Sequence, residues 1–201
     1  MNASLLKKQL TRIVAQNQLL RHPFYQAWSK GTLPLTALAL YAKEYGAFIQ
    51  TLPHGWQTLN DIETAVEEKE HIQLWQSFAQ ALGTQIAPPT TTEVKTLIAT
   101  AEELFMQKST ARGALYVFEV QQPETAKSKL TGLRAFYTQV NPKAYPYFEV
   151  HSHNEHESVK LLAWMEKSSP ANQEEAKLAC QKMCLALWDA LTGIYANCSA
   201  N

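Results

Sequence analysis

The chain has 201 residues, 46% of them hydrophobic and 18% charged, with a formal net charge of zero. That balance describes one globular domain with a substantial core rather than a disordered segment, and it lacks the basic excess of a nucleic-acid-binding surface. No run approaches the roughly 18 apolar residues of a membrane span, and the amphipathic start "MNASLLKKQLTRIVAQNQ" has no apolar signal core, so the expectation is a cytoplasmic protein with neither nucleic-acid nor membrane partners.

Segments with 3.6-residue apolar periodicity dominate, and strand-like alternation is scarce. In chain order they predict helices at about 2–20, 34–52, 56–82, 92–107, 109–121, 124–138, 142–167 and 171–197. The punctuation agrees with this reading. In "HPFYQAWSKGTLP", Gly31 ends a turn and Pro34 opens the second helix. In "LGTQIAPPTTTEV", Gly83 lies just past a helix end and Thr92 is the expected cap. "QQPE" and "SSPANQEE" place Pro123 and Pro170 just inside new helices. The expected architecture is a single all-α domain over residues 1–201, a helical bundle, and bundles build metal sites from side chains on facing helices.

The third predicted helix carries "AVEEKEHIQLW", Ala65 to Trp75. Glu67 and Glu68 lie four and three residues before His71, so either can flank one ion with it. Glu68-Lys69-Glu70-His71 also has the Glu-x-x-His spacing of carboxylate-bridged dimetal bundles; the alternative is a charged surface that ends at a histidine. In "RGALYVFEVQQP", Glu119 sits among residues that are apolar all round, the mark of a buried helix. A buried, unpaired carboxylate is costly or stays protonated, so Glu119 needs a cation, either a metal or an Arg or Lys.

Further on, "YPYFEVHSHNEHESV" places three of the six histidines within six residues. On a continuous helix, His151, Glu155 and Ser158 share one face, and Glu149, His153 and His156 share another. Either row can present ligands, though not both to one site, and a solvated polar face is the competing reading. Oxygen and imidazole ligands suit iron or manganese better than structural zinc. The three cysteines, Cys180, Cys184 and Cys198, come late, and an odd number fits a reducing compartment. Cys180 and Cys184 share a helix face and read better as small core residues than as a metal pair. Trp188, Leu191 and Ile194 give the last helix an apolar side that fits either a homodimer face or plain core packing.

Four stretches, in order, carry a resemblance to a known family: "HPFYQAWSKGTLPLTALALYAKEYGAFIQTLP", "HIQLWQSFAQALG", "ALYVFEVQQP" and "NPKAYPYFEVH". Over about residues 20–165 the chain resembles the folate-associated para-aminobenzoate synthases related to the chlamydial protein associating with death domains. These are haem-oxygenase-like dimetal oxidases near the TenA and PqqC branches. The resemblance implies a seven- or eight-helix bundle with a two-metal centre of iron, manganese or both, and dioxygen and a reductant as co-substrates. By motif, the first ligand pair falls on Glu67 or Glu68 with His71, and the central glutamate on Glu119. The family's His-x-x-x-Asp-x-x-His, counted without gaps, falls on His151, Glu155 and Ser158, so the last histidine is missing and His156 or His153 is the available substitute. The family is thought to use its own side chains as substrate. That implies Tyr25 as ring donor, Lys129 as amino donor and Tyr41 beside them, residues that otherwise read as core aromatics and a solvated lysine. Two competing expectations are an oxidase of the same fold acting on a diffusible substrate, and a non-catalytic interaction protein.

Overall fold

The computed structural model describes residues 3–198, with side chains from residue 5 onward. Its helices are α1 (Ala3–Gln16), α2 (Pro23–Ser29), α3 (Leu35–Ile49), α4 (Leu52–Thr58), α5 (Ile62–Ala81), α6 (Thr92–Leu104), α7 (Lys108–Phe136), α8 (Pro146–His151), α9 (His156–Glu166) and α10 (Pro170–Cys198), with short 3₁₀ turns at Leu19–Arg21 and Pro142–Ala144. No described helix is long and apolar enough to cross a membrane. The long helices α7 and α10 pack extensively on one another, α10 also covers α6, α3 and α1, and α5 lies against α3 and α4. Between them runs one continuous core rich in aromatics, including Trp28, Tyr41, Trp56, Trp75, Tyr147 and Phe148.

Local chemistry explains most boundaries. Gly31 and Gly83 hold positive φ where α2 and α5 end, a conformation glycine adopts without a Cβ penalty. The Asp61 carboxylate caps α5 by accepting from Thr64 N–H. His22 caps α2 by accepting from Phe24 N–H through Nδ1, and its Nε2 contacts the Thr192 hydroxyl at 3.0 Å. Thus α2, which the periodicity misses, is pinned at its first turn by a side chain, with Pro23 following. Thr91 rather than Thr92 precedes α6 and makes no side-chain cap bond.

Several expected boundaries are corrected. The segment expected at 56–82 breaks at Asn60, whose φ is 64°, giving α4 and α5. The two helices expected on either side of Pro123 are one: α7 runs through it. Proline lacks an N–H, so the Glu119 carbonyl loses its helical donor; packing of both flanks into the core outweighs that local cost. The segment expected at 142–167 breaks after His151, and Ser152–Glu155 form a turn before α9. Cys180 and Cys184 are free, buried core residues. Leu191 and Ile194 are wholly buried in this chain's own core, and Trp188 is partly buried.

Candidate metal centre and a buried tyrosine–lysine cluster

Helix α5 turns Thr64, Ala65, Glu68, Trp75, Phe78 and Ala79 inward. Glu68 is therefore on the buried stripe with its carboxylate 3.4 Å from His71 Nδ1, and Glu67 is off it. Helix α8 brings in His151, whose ring packs edge-on against His71 with centroids 4.5 Å apart. Ligand atoms of Glu68, His71 and His151 all lie within 4.8 Å of one another. Glu119 comes from α7 and is 4% exposed. A third buried carboxylate, Glu157, opens α9 and accepts from Asn154 Nδ2 at 2.9 Å. Its Oε1 is also 3.1 Å from His156 Nε2, and Glu67, His156 and Glu157 form a second group with mutually close ligand atoms.

The electrostatics of this pocket are those of a site built around positive charge. Burial, with Glu68 and Glu157 nearby, pushes the Glu119 carboxyl well above the ordinary range. Burial also raises Glu68, with His71 pulling the other way. His71 is lowered by burial, but the Glu68 and Glu157 carboxylates outweigh this and leave it raised. Burial and the neighbouring His71 depress His151 to about 3, so it is a neutral imidazole. Its Nδ1–H donates to the Tyr147 carbonyl at 2.6 Å, which leaves the Nε2 lone pair available, the usual arrangement of a metal-binding histidine. Glu68 Oε2, His71 Nδ1, Glu119 Oε1 and His151 Nε2 are buried without a hydrogen-bond partner of good geometry. Buried polar atoms are ordinarily partnered. Four orphaned oxygen and nitrogen donors in one pocket fit a divalent first-row cation, with iron or manganese suited to this mixed donor set.

Among the other expected ligands, Glu155 is corrected. It is exposed and sits at the N-cap of α9, because the chain breaks after His151 and the His151–Glu155–Ser158 face does not exist. His153 is exposed, and Glu149 pairs instead with Arg134 on the surface. His156 is 64% exposed at the edge of the pocket. Glu157 is the pocket residue that motif counting misses. It lies four residues before Leu161 and eight before Met165, both buried on α9, so the helical stripe itself was the available signal.

A second buried cluster joins α2, α3 and α7. Tyr25 and Tyr41 share a hydrogen bond of 2.8 Å between their hydroxyls. The Lys129 amine donates to the Tyr41 hydroxyl at 3.4 Å and lies 5.2 Å from the Tyr25 ring centroid. All three side chains are buried. Burial raises both phenols and lowers the Lys129 ammonium to about 7, so near neutral pH a large share of it is free amine. Rings link the two clusters in series: Tyr41 to Trp75 at 5.5 Å, Trp75 to Tyr147 at 4.7 Å and Tyr147 to His151 at 4.2 Å between centroids.

Residues 44–189 match a family described as iron-containing redox enzymes. A 4-aminobenzoate synthase from Nitrosomonas europaea is 32% identical, covering 100% of this chain and 95% of that protein. A 4-aminobenzoate synthase from Chlamydia muridarum is also 32% identical, over 71% of this chain and 70% of its own length. In structure, a TenA homologue from Pseudomonas syringae superposes with a TM-score of 0.78 at 15% identity, covering 98% of this chain and 96% of that one. A CADD-like protein of unknown function from Nostoc punctiforme gives a TM-score of 0.63 at 16% identity over 100% and 97%. The fold is haem-oxygenase-like and all-α.

Proposed function

The chain belongs to the family of iron-containing redox enzymes with the haem-oxygenase-like fold, and on that premise we propose that it makes para-aminobenzoate in a metal- and dioxygen-dependent oxidation, with its own Tyr25 as ring donor and Lys129 as amino donor. What supports this reading is one juxtaposition: a lysine depressed to about 7 lies 5.2 Å from the centre of the Tyr25 ring, inside the bundle. A desolvated lysine is a nucleophile at neutral pH. The product named for the relatives carries a para amine on a benzene ring, and these two side chains hold both parts.

Converting a tyrosine side chain to para-aminobenzoate breaks the Cα–Cβ bond and raises Cβ to the carboxyl level; the ring C–O bond gives way to a C–N bond with the oxygen leaving as water, and the Lys129 Cε–Nζ bond breaks with Cε oxidised to the aldehyde. Dioxygen is the oxidant, and a reductant primes the centre. When bound, an iron or manganese ion supplies the dioxygen activation. Glu68, His71, Glu119 and His151 are the residues that would hold it. The rest is done by the chain itself. Tyr41 orients the Tyr25 hydroxyl through their shared hydrogen bond and also accepts from Lys129, so amine and phenol are held against each other. The aromatic walls formed by Trp28, Phe24 and Phe148 keep water away from them. A diffusible aromatic substrate would have to displace tightly packed side chains. Loss of the Tyr25 ring damages the chain, so each molecule acts once.

The test is isotopic. Protein carrying ring-labelled tyrosine, exposed to iron or manganese, reductant and oxygen, yields labelled para-aminobenzoate, and the chain loses the corresponding mass at Tyr25. Tyr25→Phe lowers the product by more than about a hundredfold, the loss of more than about 2.7 kcal/mol of transition-state access. Unlabelled product, or a Tyr25→Phe protein that is active while Glu119→Ala is not, identifies a diffusible substrate instead.

A further inference from the structure

Given the metal-site reading above, we infer that this chain binds one metal ion rather than two, and that the Lys160 ammonium stands in the second cation position.

The orphaned donors number enough for one ion only. Glu68 Oε2, His71 Nδ1, Glu119 Oε1 and His151 Nε2 want a partner. The pocket's other buried carboxylate, Glu157, does not, since it accepts from Asn154 and faces His156. One turn after Glu157, where a further ligand would be expected, α9 carries Lys160. The spacing Glu157-x-x-Lys160 repeats the Asp-x-x-His that the family resemblance implies, displaced by the two extra residues of the turn after His151.

Lys160 is held firmly. Its amine donates to Asp61 Oδ2 at 2.8 Å and to Thr64 Oγ1 at 2.9 Å. It also lies 5.5 Å from the Trp56 ring centroid and 5.9 Å from that of Trp164, within cation–π range. Its positive charge reaches the pocket, where it works against the upward push that burial and the Glu68 and Glu157 charges exert on Glu119. A protonated lysine has three donors and no lone pair, so it cannot ligate a metal. It also engages the Asp61 and Thr64 oxygens. A second divalent ion would have only the Glu67, His156 and Glu157 group left to hold it, in which Glu157 alone is buried and already faces His156.

The experiment is a stoichiometry, independent of turnover. The purified full-length chain is loaded anaerobically with ferrous iron, and in parallel with manganous ion, freed of loose metal by gel filtration, and assayed for metal per chain by mass spectrometry of the elements. The expected result is about one ion per chain for the wild type and for Lys160→Arg, rising toward two for Lys160→His. Two ions in the wild type overturn the inference, as does a folded Lys160→His that stays at one. Should Lys160→His not fold, the wild-type and Lys160→Arg values decide alone: one ion in each upholds it, and two in either overturns it. No ion in a folded wild type overturns both this and the metal-site reading. The proposed reaction fails separately: one bound ion with no para-aminobenzoate leaves the Lys160 assignment standing, whereas two ions with labelled product remove it and keep the reaction.

Discussion

Glu44 and Glu119 are both buried carboxylates in the middle of apolar helices, yet their surroundings differ in kind. Glu44 on α3 accepts from Thr90 N–H at 2.9 and 3.1 Å, from the Thr90 hydroxyl at 2.7 Å and from Thr91 N–H at 3.0 Å. Burial pushes its carboxyl up, but these donors win and hold it below the ordinary range. Glu119 on α7 has only the Trp56 indole and the Lys160 charge to set against burial, one oxygen is orphaned, and its carboxyl is pushed far up. Burial of an acid is thus no sign of a metal site; burial with too few donors is. Glu44 does a structural job, tying the loop before α6 to α3, and Glu119 waits for a cation.

The contrast is broken most directly by removing each acid. Glu119→Ala is expected to lose at least about tenfold in iron or manganese affinity, about 1.4 kcal/mol or more, while Glu44→Ala retains the metal; elemental analysis of the two variants after identical loading decides. Next, chelation separates the two acids by heat. Removing the ion should lower the wild-type midpoint, by about 4 kcal/mol of stability if loading is at a thousand times the dissociation constant, and leave Glu119→Ala unmoved. Smaller is the effect on the metal-free fold itself. Glu44→Gln leaves Thr90 and Thr91 donors poorly matched and should cost about 1–3 kcal/mol at pH 7 in urea titrations. Because the folded value of Glu44 is depressed, that contribution is present above the ordinary carboxylate value of 4.5 and disappears as pH falls through the lowered one. Glu119→Gln under the same chelated conditions should be neutral or stabilising, since an amide replaces an unpaired acid.

The remaining comparison lies in the tyrosine–lysine cluster. Lys129→Met removes a buried amine whose folded value, about 7, lies below the ordinary lysine value of 10.5. Between those two values the unfolded chain holds the extra proton, so wild-type stability climbs with pH. The Met variant's advantage should therefore be full below about pH 7 and shrink as pH rises toward that of a free lysine, measured by urea titration at pH 6 and pH 9. A pH-independent difference would mean that Lys129 is solvated.

The fold class was legible because the 3.6-residue stripe is strong along most of the chain. The boundaries were not, for physical reasons that differ. Nothing from His151 to Ser158 is apolar, so no hydrophobic stripe holds the residues between α8 and α9 in one helix. Pro123 read as a start because its local penalty is visible in sequence, whereas the tertiary packing that overrides it is not. The same stripe would have chosen Glu68 over Glu67, since Glu68 sits four residues after Thr64 and seven before Trp75, all buried. Glu44 escaped notice although it too interrupts an apolar helix, because its donors come from a loop 46 residues away. Lys129, by contrast, acquires its unusual character from neighbours on α2, α3 and α8, and no spacing rule within α7 announces it.

Glu119 and Lys129 ride on the same helix, α7, ten residues apart in number, which is about 15 Å of rise. A free amine is itself a good ligand for a transition metal and would quench the ion if it could touch it. The helix acts as a spacer bar that keeps the nitrogen permanently out of coordination range. Tyr41, Trp75 and Tyr147 fill the interval as a series of packed rings, so the amine and the orphaned donors stay apart.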